Sequence, residues 1–284
     1  MEIKITVPNT QADTSVEELL KDIWLVPRKV RHFLRMRKAV SINQTVASFQ
    51  EIVHGGDQVQ LTFLDSDYSY QEIKMGNASL VAPIYEDEHL IIVNKPVGIK
   101  THPNDATESD TLLNHLAAYL APKDQKPYVV HRLDTETSGA VLFAKNPFVL
   151  PILNKMLEEK TIHRKYQAVV WGIFPQNKTF TEKIGRHRHD RRKRVVDPKN
   201  GQNAITHVSI DKKLSNKTQI YCTLDTGRTH QIRVHLSNSG HPIVGDPLYQ
   251  TRSSSRMMLH AVELEMTHPF THESIIAQAI PGLW

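Results

Sequence analysis

The stretch VVHRLDTETSGAVLFAK, residues 129–145, places the tightest constraint on the fold. Two apolar runs, Val129-Val130 and Val141-Leu142-Phe143-Ala144, bracket a basic pair, one aspartate and three hydroxyl residues before Gly139. Short apolar, β-branched runs of this kind read as buried or half-buried strands, so the polar insert is predicted to be a loop held between them. Polar loops on a rigid scaffold are where sites tend to sit. A purely structural loop fits the same residues: Asp134, Thr135, Thr137 and Ser138 would bond their own backbone, and Gly139 would supply a special dihedral.

The surrounding pattern sets the fold class. From residue 81 the chain reads as strands interrupted by a few helices. IYEDEHLIIVNKP suggests strand, turn, strand, and KYQAVVWG, AITHVSI, TQIYCTL and RMMLHAVELEM read as further strands. SDTLLNHLAAYL is predicted to be a helix capped by Ser109 or Asp110, and NPFVLPILNKMLEEK a helix capped by Asn146. This order suits an α+β domain on a large, mostly antiparallel sheet spanning 81–284. The first 65 residues form a separate small α/β unit. In it, Ser15 and Glu18 make a capping box, and Pro27 opens a helix with Val30, Phe33 and Leu34 on one face. Residues 66–80 lack periodicity and read as a linker.

No run approaches the roughly 18 apolar residues needed to span a membrane, and the first residues lack a secretory pattern. One cysteine, Cys222, excludes an internal disulfide and any zinc site built on several thiolates, and fits a cytoplasmic location. Thirty-five basic against 30 acidic residues give only +5, a moderate excess. Its distribution says more, because PRKVRHFLRMRK (27–38) and GRHRHDRRKR (185–194) concentrate arginine. Two such clusters raise nucleic acid above other partners. In the first, Arg28, Arg31, Arg35 and Lys38 occupy the helix face opposite the apolar one, as a phosphate reader or as a merely solvated surface.

A second constellation is LDTGRTHQIRVHLSNSGHPIVGDPLY, residues 224–249. Thr229 can cap a helix running through Ile232 and Leu236, with Gly240 ending it. That helix start gathers Arg228, His230, Gln231 and Arg233, donors suited to an anionic ligand. Arg233, between Ile232 and Val234, is expected to be partly buried and so to need a carboxylate, for which Asp134 is the candidate.

HRLDTETSG together with GRTHQIRVHLSNSGHPIVGDPLY closely resembles the RluA-like family of RNA pseudouridine synthases, the large-subunit ribosomal RNA type. NKPVGIKTHP, KYQAVVWG and LHAVELEMTHP extend the resemblance in order across 81–284. The N-terminal unit is similar to a divergent S4-type RNA-binding domain. The resemblance implies that Asp134 is the catalytic aspartate, that Tyr166 stacks on the target base and that Arg233 pairs with the aspartate. It further implies that Leu259 packs the base pocket and that Arg132 helps displace the nucleotide. Thr135, Glu136 and the KPVG variant depart from the commoner pattern without touching these positions.

The implied reaction breaks the C1′–N1 bond, turns the uracil and joins C1′ to C5, with no redox step and no group donor, so no cofactor is expected. One carboxylate could attack C1′ or remove a sugar proton. A glycosidase would need two carboxylates. A stacked base must be flipped out to react, which an aromatic wall would favour. A metal site is not expected, because His187 and His189 are flanked by arginine, His230 and His235 do not share a helix face, and His268 precedes Pro269. His131 would orient the loop or contact RNA. The substrate is expected to be ribosomal or transfer RNA, and nothing requires more than a monomer. A non-catalytic RNA-binding or ribosome-assembly protein, and a metal-independent nuclease using His131 or His230, remain as alternatives.

Overall fold

The structure, a computed structural model, describes residues 1–252 and 254–282. The N-terminal unit is a four-stranded antiparallel sheet in the order Glu2–Thr6, Gln58–Thr62, Val40–Ile42, Thr45–Val46. Alternation buries Ile3, Ile5, Val40, Ile42, Val59 and Leu61 on one face. The capping box forms: Ser15 Oγ accepts the Glu18 N–H at 3.2 Å, and the Ser15 N–H reaches Glu18 Oε2 at 3.3 Å. Pro27 stands immediately before the Arg28–Met36 helix, its ring fixing the approach of the chain.

This unit is welded to the rest of the chain by aromatic packing. Trp24 meets Phe270 edge-on at 5.4 Å and Phe63 meets Phe148 at 5.3 Å, within one apolar cluster that crosses both parts. The connecting stretch 66–80 carries only short helical turns, yet it is tied down along its length. Arg37 grips Asp67 at 2.6 Å, Asn114 Nδ2 donates to Lys74 O at 2.8 Å, and the Asn77 N–H donates to His115 Nδ1 at 3.1 Å.

The larger part is built on a ten-stranded sheet. Its main path runs Lys178–Phe180, Thr206–Lys213, Lys217–Leu224, His163–Trp171, Leu259–Thr267, Ser138–Ala144, Leu90–Lys95, Pro83–Glu86. Ser274–Gln278 and Tyr128–Val129 pair off this path. Every pair is antiparallel except Ser138–Ala144 with Leu259–Thr267. All seven residues of Ser138–Ala144 are buried, which explains its unbroken apolar run. Its period of two divides the core: Ala140, Leu142 and Ala144 face the Val149–Glu158 helix and the N-terminal unit, while Val141 and Phe143 face the Leu112–Leu120 helix and the site.

Helix starts differ in detail from the sequence reading. Thr111, not Ser109 or Asp110, caps Leu112–Leu120, because its hydroxyl reaches the Asn114 N–H in a box closed by the Asn114 side chain. His230 rather than Thr229 precedes the Gln231–Asn238 helix, in the left-handed region at φ 58. Asn146 does accept the Val149 N–H at 2.9 Å, and Pro151 falls within the first turn of Val149–Glu158.

Candidate active site

The two apolar runs of residues 129–145 pair with each other, Val129 opposite Phe143, so the polar insert is the loop that closes them. Gly139 makes this loop reach its neighbour. It sits at φ +115 opposite Ala261, and a Cβ there would lie 2.3 Å from Ala261 O. Only glycine lets the parallel strands approach so closely, which brings Asp134 beside Leu259. The loop is also pinned from behind. Thr101 Oγ1 donates to Leu133 O at 2.8 Å and accepts the Leu133 N–H at 3.1 Å, while the Thr137 N–H closes a turn on Asp134 O at 3.1 Å. Fully buried Lys95 donates to Pro96 O, Ile99 O and Thr135 O at 3.0, 2.8 and 3.3 Å. Burial pulls its pKa down to about 8, against the opposing charges of Asp134 and Glu136.

Arg233, 1% exposed, lies on the Gln231–Asn238 helix and is held by two aspartates. Its Nε and Nη2 reach Asp246 Oδ2 and Oδ1 at 2.8 Å each, and its Nη1 reaches Asp134 Oδ2 at 2.9 Å. Burial alone would lower the Arg233 pKa, but the bonds and charges of Asp246 and Asp134 outweigh it and raise the value further. The expected pairing with Asp134 is therefore present, but it is not what neutralises the arginine. Asp246 takes the bidentate fork and leaves one donor to orient Asp134.

Asp134 faces a pocket walled by Leu133, Tyr166, Leu259 and Ile232, with Arg132, Arg228, Thr229 and His230 around it. Tyr166 is buried, and that burial raises its pKa. His230 directs Nε2 to within 3.6 Å of Asp134 Oδ2, while its Nδ1 bonds the Tyr249 hydroxyl at 2.9 Å. Arg132 is exposed and has no ion-pair partner among the described residues.

Two residues expected to touch substrate are occupied elsewhere. His131 does not line the pocket. Its ring is buried behind the loop, where Nε2 accepts the Leu142 N–H at 3.1 Å, and desolvation, with Arg164 nearby, drops its pKa to about 3. It orients the loop as a neutral ring. Gln231 lines the pocket but is 3% exposed with every polar atom engaged: Oε1 accepts from Thr226 and from the Arg228 N–H, and Nε2 donates to Ile205 O and Thr206 Oγ1. It fixes the helix start rather than offering a donor.

Asp246, Tyr249 and Lys95 were not singled out from the sequence. The signal for the first two was the GDPLY turn, where Gly245 at φ +76 abuts Arg256 O and Asp246 Oδ1 accepts the Leu248 N–H at 2.9 Å. Tyr249 sits with its ring 5.3 Å from the Arg233 guanidinium carbon. Among the described residues no cluster of three or more His, Cys, Asp or Glu is placed to hold a metal ion. His235 bonds Thr206 and Glu182 O, and His268 accepts the Phe270 and Thr271 N–H groups.

Residues 89–238 match the family model for RNA pseudouridylate synthase, and residues 3–59 match that for the RluD ribosomal pseudouridine synthase N-terminal domain. Ribosomal large subunit pseudouridine synthase D of Nitrosomonas europaea is 34% identical over 96% of this chain and 83% of its own length. The uncharacterized RNA pseudouridine synthase YhcT of Bacillus subtilis is 38% identical over 98% of this chain and 93% of its own. Among solved structures, human RNA pseudouridylate synthase domain containing 1 superposes with a TM-score of 0.61 at 25% identity, covering 74% of this chain and 86% of that one. With motifs, sheet and near full-length relatives in agreement, the chain belongs to the RNA pseudouridylate synthase family and is an isomerase that converts uridine in RNA to pseudouridine.

Proposed function

We propose that the target uridines lie in large-subunit ribosomal RNA, with transfer RNA as the second substrate class, and that Asp134 is the catalytic carboxylate. One observation carries the chemistry: among the described residues Asp134 is the only carboxylate lining the pocket, whose apolar walls include the buried Tyr166, Leu259 and Leu133. A single carboxylate suits an isomerisation in which the same base leaves and returns, and is one short of the pair a glycosidase uses. Uridine enters flipped from its stack, with its base against Tyr166 and Leu259. Asp134, aimed by Arg233, then attacks C1′ or removes a sugar proton as the C1′–N1 bond breaks; the freed uracil turns within the apolar walls, C5 bonds C1′ with release of Asp134 or return of the sugar proton, and the C5 proton is lost while N1 gains one. Arg132, exposed on the pocket's lining and without an ion-pair partner among the described residues, fills the gap left in the helix. Arg228 and His230 contact the sugar-phosphate backbone beside it.

Relatives named for ribosomal RNA support the substrate class. We take residues 1–65 as an S4-like RNA-binding unit, 66–80 as a strap and 81–284 as the catalytic domain. The enzyme acts in the cytoplasm as a single chain, without cofactor. Part of the first basic cluster is used internally, since Arg35 pairs with Glu17 at 2.6 Å and Arg31 Nε donates to Val26 O at 3.0 Å. Arg28, Lys29 and Lys38 are exposed and available to phosphate.

The test is site-resolved pseudouridine mapping, by carbodiimide labelling and primer extension, in ribosomal RNA treated with wild-type or Asp134→Asn protein. We expect the variant to lose about 10²–10⁴-fold in rate while still binding RNA. Undiminished pseudouridine formation by Asp134→Asn would remove Asp134 from its role.

A further inference from the structure

The isomerisation removes the hydrogen on C5 of uracil, and that proton needs an acceptor close to C1′, the carbon to which C5 becomes bonded. We propose that the His230 imidazole takes it through Nε2, as the general base of the last chemical step. The inference rests on the reading above that Asp134 acts at C1′ of a uridine held in this pocket.

Placement comes first. His230 lines the pocket with Nε2 3.6 Å from Asp134 Oδ2, so it stands beside the sugar carbon that Asp134 addresses and reaches a hydrogen on the atom bonded there. Few other acceptors exist. Among the described residues lining the pocket, only Asp134, Tyr166 and His230 carry a side chain with a place for a proton. Asp134 is committed to the sugar and to Arg233 Nη1 at 2.9 Å, and burial raises the Tyr166 pKa, so that phenol keeps its own proton. Burial also lowers the His230 pKa, against the charges of Asp134 and Asp246 and together with those of Arg233 and Arg194, which leaves the ring neutral. The hydrogen bonds behind the ring then select the tautomer. Tyr249 Oη accepts the Arg194 N–H at 2.8 Å and donates to Arg194 O at 3.2 Å, so its remaining lone pair takes the His230 Nδ1–H at 2.9 Å. Nε2 is left bare and facing the pocket, and protonating it changes none of those bonds. Arg194 belongs to the two-stranded ribbon of Ile184–Arg186 with Arg194–Val196, which with Arg228 lines a groove beside the pocket.

When C5 bonds C1′, C6 is left double-bonded to N1 and C5 carries both hydrogen and sugar. Nε2 takes the C5 proton, the C5–H pair restores the C5=C6 double bond, and the C6=N1 pair moves to N1, which gains a proton from solvent. The imidazolium, stabilised by the nearby Asp134 carboxylate, returns its proton to solvent, and His230 ends as it began.

The experiment measures single-turnover pseudouridine formation by the full chain on large-subunit ribosomal RNA transcribed with uridine or with 5-deuterouridine, for wild type, His230→Asn, Tyr249→Phe and Asp134→Asn. Asparagine accepts the left-handed backbone at φ 58 as histidine does, and its amide takes up no proton. His230→Asn is expected to lose about 10²-fold in rate with RNA affinity kept, and to be slowed further by deuterium because C5–H cleavage is then the slow step. Tyr249→Phe removes the partner of Nδ1 and should show a smaller loss with the same deuterium sensitivity, which keeps the test valid should His230→Asn misfold. A wild-type rate in His230→Asn, or slowed variants indifferent to deuterium, would overturn the proposal, the second result leaving His230 as a contact to RNA alone. Asp134→Asn separates the two readings. Its block falls before C5 meets C1′, so its residual rate should ignore deuterium, and an active Asp134→Asn protein counts against the role of Asp134 rather than that of His230.

Discussion

Arg233 meets three carboxylate oxygens within 2.9 Å, whereas Arg186, Arg194 and Arg228, one pocket away, share a groove with none. The residue type is the same and the environments are opposite. A buried guanidinium without counter-charge is strongly destabilising, so Arg233 exists only together with Asp246, and its remaining donor becomes a fixed point from which to aim Asp134. The groove arginines keep contact with water, which makes the lack of a carboxylate partner among the described residues tolerable. Lys95 is intermediate: it is fully buried, bonded to three carbonyls, and influenced at a distance by Asp134 and Glu136. The lesson is that charge alone does not mark a site in this protein. What marks it is whether the fold has already supplied the counter-charge.

The comparison breaks first at Arg233. Arg233→Met should leave Asp246 buried and unpaired, lowering stability by about 3–5 kcal/mol in urea unfolding, with activity falling as far as in Asp134→Asn. An unchanged urea midpoint would mean that the fork does not hold the fold. Lys95 sharpens the intermediate case through pH. With a folded pKa near 8, its ammonium gives up a proton above that pH and with it one donor to the loop carrying Asp134, so activity should decline on an alkaline limb near 8. Lys95→Arg, which stays charged, should move that limb upward. Stability runs the other way: from about 8 to about 10.4 the unfolded chain holds the extra proton, so this group's contribution to the fold rises with pH. Smallest is a conversion of the groove into the other type. Gln202, on the groove's lining, changed to glutamate (Gln202→Glu), places a carboxylate among the three arginines and should stabilise by about 0.2–1 kcal/mol in thermal unfolding.

How far the sequence carried varies from residue to residue. The loop between two apolar runs, the capping box at Ser15 and the antiparallel strand pattern were legible, because local periodicity and capping are local physics. Asp134, Tyr166, Arg233 and Leu259 converge on one pocket as expected. The helix starts shifted by one or two residues because Thr111 closes a capping box with Asn114 and His230 takes the left-handed conformation just before Gln231–Asn238. His131 and Gln231 looked available in the sequence. They turned out to be buried and bonded to the backbone, His131 through Nε2 and Gln231 through Nε2, since a polar side chain beside a site is as often needed to satisfy the backbone there.

The sequence by itself determined the alternation that splits the core between two sheet faces, the glycine required where Ser138–Ala144 touches its parallel neighbour, and the identity of the chemical groups. Only the tertiary structure decided which carboxylate neutralises Arg233 and which merely receives its last donor, and that Arg186 and Arg194 face each other across a ribbon beside the pocket. The reason is range. Hydrogen-bonded periodicity acts between near neighbours in the chain, but the free energy of a charge depends on everything within a few ångströms. Here that includes residues brought from 99 positions apart.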